Sequence, residues 1–324
     1  MSKRRINKQQ SARIQKIQAN YRQKNEFNDS LERKDGLVLS RYSRHADIED
    51  SQGNRIHCSI RPNIDSLVAG DRVIWQVEGG KKGIVVSRYP RKTMLGRPDK
   101  RGEFKPVAAN ITQVIVVLAA KPELSWFLLD SYLVMIELLG DLNVCIVLNK
   151  MDLNSVDLQR ELVACYEPLG YQIIFTSTLN NFGFELLKET LNHQVSVFVG
   201  QSGVGKSSLI SGLLPHESNI QTAEISVNSN LGCHTTSNSR YYHLPSGGAL
   251  IDSPGVREIG LWHLPVGEIT HGYPEFRPLI SGCKFRNCNH INSPNCAITK
   301  ALSEGKLTQK RYDNYLKIIS LFGK

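Results

Sequence analysis

Residues 195–210 read VSVFVGQSGVGKSSLI, an apolar run that suits a strand buried on both faces, followed by a helix-forming run. Gly200, Gln201, Ser202, Gly203, Val204, Gly205, Lys206 and Ser207 form a complete Gly-x4-Gly-Lys-Ser in the strand-to-helix setting this motif needs. Glycines let successive backbone N–H groups turn inward on a phosphate without a Cβ clash. The helix N-terminus, with Ser208 just inside it, adds its amides and dipole. Lys206 is expected to bridge β- and γ-phosphates, and the Ser207 hydroxyl to coordinate Mg²⁺.

Outward from this stretch the chain alternates strand and helix. ITQVIVVLAA (111–120), NVCIVLNK (143–150) and YQIIFTS (171–177) read as apolar strands, and SWFLLDSYLVMIELLG (125–140) as a long amphipathic helix ending at Gly140. This is α/β with a mostly parallel sheet. Asp252-Ser-Pro-Gly255 follows the strand GGALI, 46 residues after Lys206. An Asp at that strand end can hold Mg²⁺ through water, and the Gly255 N–H can meet the γ-phosphate. Between the two motifs NSNLGCHTTSNSR (228–240) is polar and aperiodic, as a segment ordered by γ-phosphate and Mg²⁺ must be. Thr235 or Thr236 supplies the second hydroxyl to Mg²⁺, Thr236 being the one carried into the site.

Asn149-Lys150-Met151-Asp152 closes the strand NVCIVL. A carboxylate there accepts the N1–H and 2-amino N–H of guanine, whereas adenine would leave it unpaired. Rejecting a base on that ground is worth about 10⁴-fold or more. Lys150 is expected over the ring face, Asn149 as a brace, and the loop Thr176-Ser177-Thr178 as the source of an N–H for guanine O6. Asn149 and Asp152 therefore oppose an ATPase or kinase. The guanine motifs, at 149 and 176, precede the phosphate motifs at 200–255, the reverse of the usual order. Cutting a GTPase domain between its third and fourth motifs and joining its old ends produces this arrangement, which nearby surface termini tolerate.

The rest of the 324 residues, 40% hydrophobic, has room for further domains. Residues 1–34 hold ten Lys/Arg against three acids and few large apolar side chains, and read as a flexible basic arm. Residues 35–107 carry net +5 and contain five short Val/Ile-rich strands, an OB-like β-barrel with a basic linker, RKTMLGRPDKRGEFKP; an SH3-like barrel would read almost the same. Residues 108–260 form the permuted GTPase domain. Residues 261–324 contain Cys283-x4-Cys288-x-His290-x5-Cys296 and end in a helix, roughly Lys306 to Phe322. Three thiolates and an imidazole leave no open position on a tetrahedral ion, so one structural Zn²⁺ is expected. Cys58, Cys145 and Cys165 read as core fillers, and a metal site in place of disulfides suits a reducing cytoplasm. No apolar stretch is long enough to span a membrane. An acidic middle, −8 over residues 108–282, lies between basic ends, as in an enzyme carried by nucleic-acid-binding appendages.

RKTMLGRP, KPVAANITQVIVV, NKMD, GQSGVGKSSLI, GCHTT, IDSPGVREIGLW and the Cys/His spacing resemble the circularly permuted, ribosome small-subunit-dependent GTPase A family of bacteria, over residues 36 to about 300. The resemblance implies an OB domain, a permuted GTPase domain and a zinc domain. It also implies action on the 30S subunit and its 16S rRNA late in assembly, turning GTP into GDP and phosphate; the protein is expected to be a monomer. The position after Asp-x-x-Gly, where many GTPases hold a water-orienting Gln, is Val256, so intrinsic hydrolysis is expected to be slow. In the family a switch histidine is the suggested substitute, and His234 occupies that place. A rival reading is an RNA-assembly chaperone whose affinity is switched by guanine nucleotide, with incidental turnover.

Overall fold

The computed structural model describes residues 32–64, 66–79, 82–98, 104–215, 239–253, 265–291 and 293–323. Strands β1 (Arg33–Tyr42), β2 (His45–Asp50), β3 (Arg55–Ile60), β4 (Arg72–Gly79) and β5 (Lys82–Arg88) close on themselves. β1–β2, β2–β3, β4–β5 and β1–β4 are antiparallel, and β3–β5 is parallel. That parallel closure selects the OB-type barrel over an SH3-like one, where neighbours pair antiparallel. A register shift between Val38 and Ser40 bends β1, so its first half pairs with β4 while its length serves β2. Val38, Ala46, Ile48, Cys58, Leu67, Val73, Trp75 and Val85 fill the barrel.

β1 starts inside the segment read as an arm, and the basic stretch read as a linker folds as a hairpin, β6 (Met94–Pro98) against β7 (Phe104–Ala109). The hairpin forms because Leu95, Val107, Ala108 and Ala109 can all be buried. Arg91 anchors its start with a two-pronged bond to the buried Asp71 (2.7 and 2.8 Å) and a third bond to the Ser66 carbonyl (2.6 Å).

The second sheet comprises β8 (Gln113–Ala119), β9 (Asn143–Asn149), β10 (Gln172–Phe175), β11 (Val195–Val199), β12 (Arg240–His243) and β13 (Ala249–Asp252), in spatial order β10-β9-β8-β11-β13-β12. All pairs are parallel except β12–β13. Every residue of β8 is buried, as the middle of a sheet covered on both faces requires. The chain enters at the centre, runs outward through β9 and β10, and returns to β11 on the other side of β8. β12 is joined to the barrel through Ser40 opposite Arg240, which makes one hydrogen-bonded sheet of eleven strands.

Helices α1 (Trp126–Leu139), α2 (Val156–Tyr166), α3 (Phe184–Leu191) and α4 (Lys206–Leu213) flank the sheet; α5 (Val266–His271), α6 (Arg277–Ile280), α7 (Ala297–Ser303) and α8 (Gln309–Phe322) follow it. The last helix starts three residues later than its sequence suggested, after Thr308. Residues 129–136 of α1 are buried all round its circumference, against the expectation of an amphipathic surface helix. The reason is that its outer face takes α8 and α5. Asp130, mid-helix, meets Arg311 of α8 there, and accepts from Tyr166 (2.7 Å) and Asn314 (2.6 Å). Arg311 also reaches Glu275 (2.8 and 3.1 Å) and stacks over Tyr273. Burial opposes its charge, but Asp130 and Glu275 override that and hold its pKa well above the usual value. Among the described residues no helix is long and apolar enough to cross a membrane.

Arg311→Ala would strand the Asp130 carboxylate in the interface. Removing one partner of a buried pair costs about 3–5 kcal/mol, so urea unfolding should show a lowered midpoint. An unchanged midpoint would mean the network contributes nothing to holding α8 on α1.

Candidate functional site

The carboxyl ends of β9, β10, β11 and β13 lie along one edge of the sheet, where open α/β folds bind ligands. At the end of β11 the chain turns at Gly200 (φ +143°), where a Cβ would lie 2.2 Å from the Val117 carbonyl oxygen. Gly205 (φ +94°) opens α4, and a Cβ there would lie 2.4 Å from Asn149 Nδ2. Lys206 is buried and its Nζ donates to the carbonyls of Gly200 (2.8 Å) and Gln201 (2.6 Å), so the ammonium curls over its own loop. Ser207 is buried at the start of α4, whereas Ser202 and Ser208 are exposed.

Asn149 is 1% exposed and ties three segments together. Its Nδ2 donates to the Val204 carbonyl (3.0 Å), and its Oδ1 accepts from Thr176 Oγ1 (3.1 Å). Lys150 adopts φ +63°, and its Nζ donates to the carbonyls of Gly203 (2.6 Å) and Lys121 (2.9 Å). The Lys121 carbonyl belongs to the loop that leads into α1, a contact the motifs do not reveal. Asp152 Oδ1 accepts from Ser177 Oγ at 2.6 Å. Ser177 therefore orients the carboxylate, and its own N–H is taken by the Phe182 carbonyl (3.0 Å). That engagement excludes the Ser177 N–H as the donor to a guanine O6; the next amide in the loop is that of Thr178.

Asp252 ends β13, which runs parallel beside β11 with Ile251 opposite Val197. One residue on, Ser253 is buried and its Oγ lies 2.7 Å from Ser239 Oγ, which donates to the Val107 carbonyl (2.7 Å). Ser239 immediately precedes β12 and Ser253 follows β13, so one hydroxyl pair joins the start of β12 and the end of β13 to the middle of β7. Sequence reasoning missed it, because two serines in polar stretches carry no signal of pairing. Cys233, His234, Thr235, Thr236, Gly255 and Val256 lie outside the described residues.

Cys283, Cys288, His290 and Cys296 bring their ligand atoms within 4.8 Å of one another. His290 Nδ1 lies 3.6 Å from Cys283 Sγ and 3.5 Å from Cys296 Sγ, and those two sulfurs are 4.0 Å apart. Tetrahedral bonds of usual zinc length imply S···N edges of about 3.5 Å and S···S edges of about 3.8 Å. The donor set thus fits a four-coordinate metal through Nδ1. Tyr312 of α8 donates to the His290 carbonyl (2.8 Å) and ties the cluster to the helix that docks on α1. Burial raises the thiol pKa of both Cys58 and Cys145 to about 12, as for inert core residues.

A phosphate loop, an Asp at the end of the neighbouring strand and an Asn-Lys-x-Asp facing them define a P-loop GTPase whose motifs occur in permuted order. The RsgA GTPase family model matches residues 88–262. Small ribosomal subunit biogenesis GTPase RsgA 1 of Vibrio vulnificus is 48% identical over 292 residues, 88% of this chain and 82% of its own. The crystal structure of YjeQ from Thermotoga maritima superposes with a TM-score of 0.73 at 32% identity, over 90% of this chain and all of that one. YloQ, described as a circularly permuted GTPase, gives 0.70 at 27% identity over 91% of this chain and 96% of its own. The chain belongs to the RsgA GTPase family and is a GTP hydrolase.

Asp152→Asn should weaken GTP and admit xanthosine triphosphate, since an amide pairs with the 2-carbonyl of xanthine. Competition binding checks this, and an unchanged preference for GTP would remove Asp152 from the base site.

Proposed function

We propose that this GTPase binds the 30S ribosomal subunit in its GTP state, is stimulated by it to hydrolyse GTP to GDP and phosphate, and then leaves, as a step of late small-subunit maturation. The name of the Vibrio vulnificus relative supports the ribosomal part. The switching part is carried by one observation: β12, which follows the 228–238 segment directly, is joined to barrel strand β1 and, through Ser239, to Val107 and Ser253. Anything that repositions that segment acts on the barrel.

In this reading Asp152 and Lys150 hold guanine, with Asn149 and Ser177 as positioning residues. The amides of residues 200–208 and Lys206 hold the phosphates. Ser207, Thr236 and, through water, Asp252 would hold Mg²⁺, which when bound offsets charge on the β- and γ-phosphates. Val256 cannot orient water, so His234 is assigned that task, and Gly255 the γ-phosphate contact. Residues 1–34, the barrel with the hairpin stretch to 107, and residues 261–324 serve as basic appendages on 16S rRNA around the GTPase domain at 108–260. One Zn²⁺ on Cys283, Cys288, His290 and Cys296 fixes the last of these. The protein works as a monomer in the cytoplasm.

Because the phosphate contacts release counterions, affinity for 30S should fall steeply with salt. By reciprocity, if GTP favours docking then docking favours the GTP-state switch. Co-sedimentation at fixed salt should show tighter 30S binding with a non-hydrolysable GTP analogue than with GDP. His234→Ala should depress 30S-stimulated turnover far more than either binding step. Equal affinity in the two states, with turnover unaltered by 30S, would favour an RNA chaperone with incidental hydrolysis.

A further inference from the structure

The turn between the first two cluster ligands presents Lys284, Phe285, Arg286 and Asn287, all exposed. Phe285 is 43% exposed, yet its backbone is held: the Cys288 N–H donates to the Phe285 carbonyl (3.2 Å), and the Lys284 N–H to the Asn295 carbonyl (3.5 Å). Both ends of the turn, Cys283 and Cys288, belong to the metal cluster, so a bound ion would fix the ring further. Lys284 Nζ lies 5.7 Å from the ring centroid, within cation–π range. Among the described residues neither Lys284 nor Arg286 has an acidic partner within ion-pair distance.

The surroundings are one-sided in charge. Residues 276–303 contain four Lys/Arg and no Asp or Glu. Arg277 is spent on Glu137 (2.7 Å) and Lys300 lies 3.9 Å from Glu304, which leaves Lys284 and Arg286 as the cations beside the ring. Three thiolates and one imidazole around a divalent ion carry one net negative charge, and the nearby cations exceed it. A rigid aromatic between two cations matches a nucleotide: every base offers a π-face, and the cations suit the phosphates on either side. A protein-binding anchor residue would instead sit in a surround of near-neutral contacts that exclude water, and the turn provides cations and an amide.

We propose that Phe285 is a stacking platform for an unpaired RNA base, with Lys284 and Arg286 on the flanking phosphates. This rests on the reading that RNA is the partner and narrows it to single-stranded segments. An A-form duplex keeps its base faces stacked and is read by shape and backbone instead.

The test uses the zinc-loaded full chain as wild type and as Phe285→Ala, Phe285→Leu and Phe285→Trp, with one zinc per chain confirmed in each. Probes are octaadenylate, an RNA duplex of equal length and purified 30S particles. Stacking predicts that Ala and Leu weaken octaadenylate by about five- to a hundredfold, that Trp retains it, and that the duplex is unaffected. Replacing Lys284 and Arg286 together by Ala should flatten the salt slope for octaadenylate by about 1.4, from about 0.7 per phosphate. Wild-type affinity in Phe285→Ala, or full affinity in Phe285→Leu, overturns the proposal. Weakened 30S binding with unaltered octaadenylate binding also overturns it, and places the ring against a ribosomal protein. Octaadenylate results as predicted, with no 30S binding by the wild type, keep the platform and reject the ribosomal reading.

Discussion

An edge strand presents unpaired N–H and C=O groups that a fold must cover. β12 is the outer strand of the nucleotide-binding sheet, and β1 of the barrel covers it where Ser40 faces Arg240. The joint is reinforced on both sides. His243 of β12 lies 2.8 Å from Glu49 of β2, and Ser239 holds Val107 and Ser253. The barrel is therefore hydrogen-bonded to the strand that lies between the 228–238 segment and Asp252. Exposed pairs such as Glu49–His243 contribute little to stability by themselves; the backbone pairing and the partly buried hydroxyls decide the geometry.

Permutation makes this possible without disturbing the nucleotide edge. Base-reading and phosphate-binding loops come from different parts of the chain, yet β9 and β11 both flank β8, and the Asn149 amide joins their ends. The opening between them cannot drift, because Gly205 packs its backbone against that amide. On the other flank, α8 docks on α1 through Asp130 and Arg311, and the loop before α1 supplies the Lys121 carbonyl that steadies Lys150. Both appendages thus reach the nucleotide site through elements that touch it. The proposed direction of signalling runs through β12, not only through the chain leaving Gly255.

The phosphate loop, Asn149–Asp152, Asp252 and the Cys/His cluster were legible because each is a local pattern with its own chemical reason. What the sequence could not show is non-local. Nothing in the strand pattern of residues 37–90 distinguishes a β3–β5 parallel closure from an antiparallel one. The hairpin β6–β7 was hidden by the charges that make 91–106 look like a linker. α1 reads as amphipathic because a polar residue such as Asp130 marks its outer face, and that residue is buried by a helix about 180 residues later. A lone carboxylate within LLDSYLV was the available signal, since a buried carboxylate needs a cationic partner. The loop Thr176-Ser177-Thr178 reads as the source of a base contact without showing which amide is open, and the Ser177 hydroxyl and N–H are both committed within the protein.

Amide hydrogen exchange in the GDP state and with a non-hydrolysable GTP analogue tests the coupling through the sheet edge most directly. If β12 transmits the nucleotide state, protection at residues 240–243 and at 38–42 of β1 changes together, while β5, at 82–88 and paired with β3 and β4 but not with β1, stays constant. A change confined to β12, or none in either strand, would contradict it.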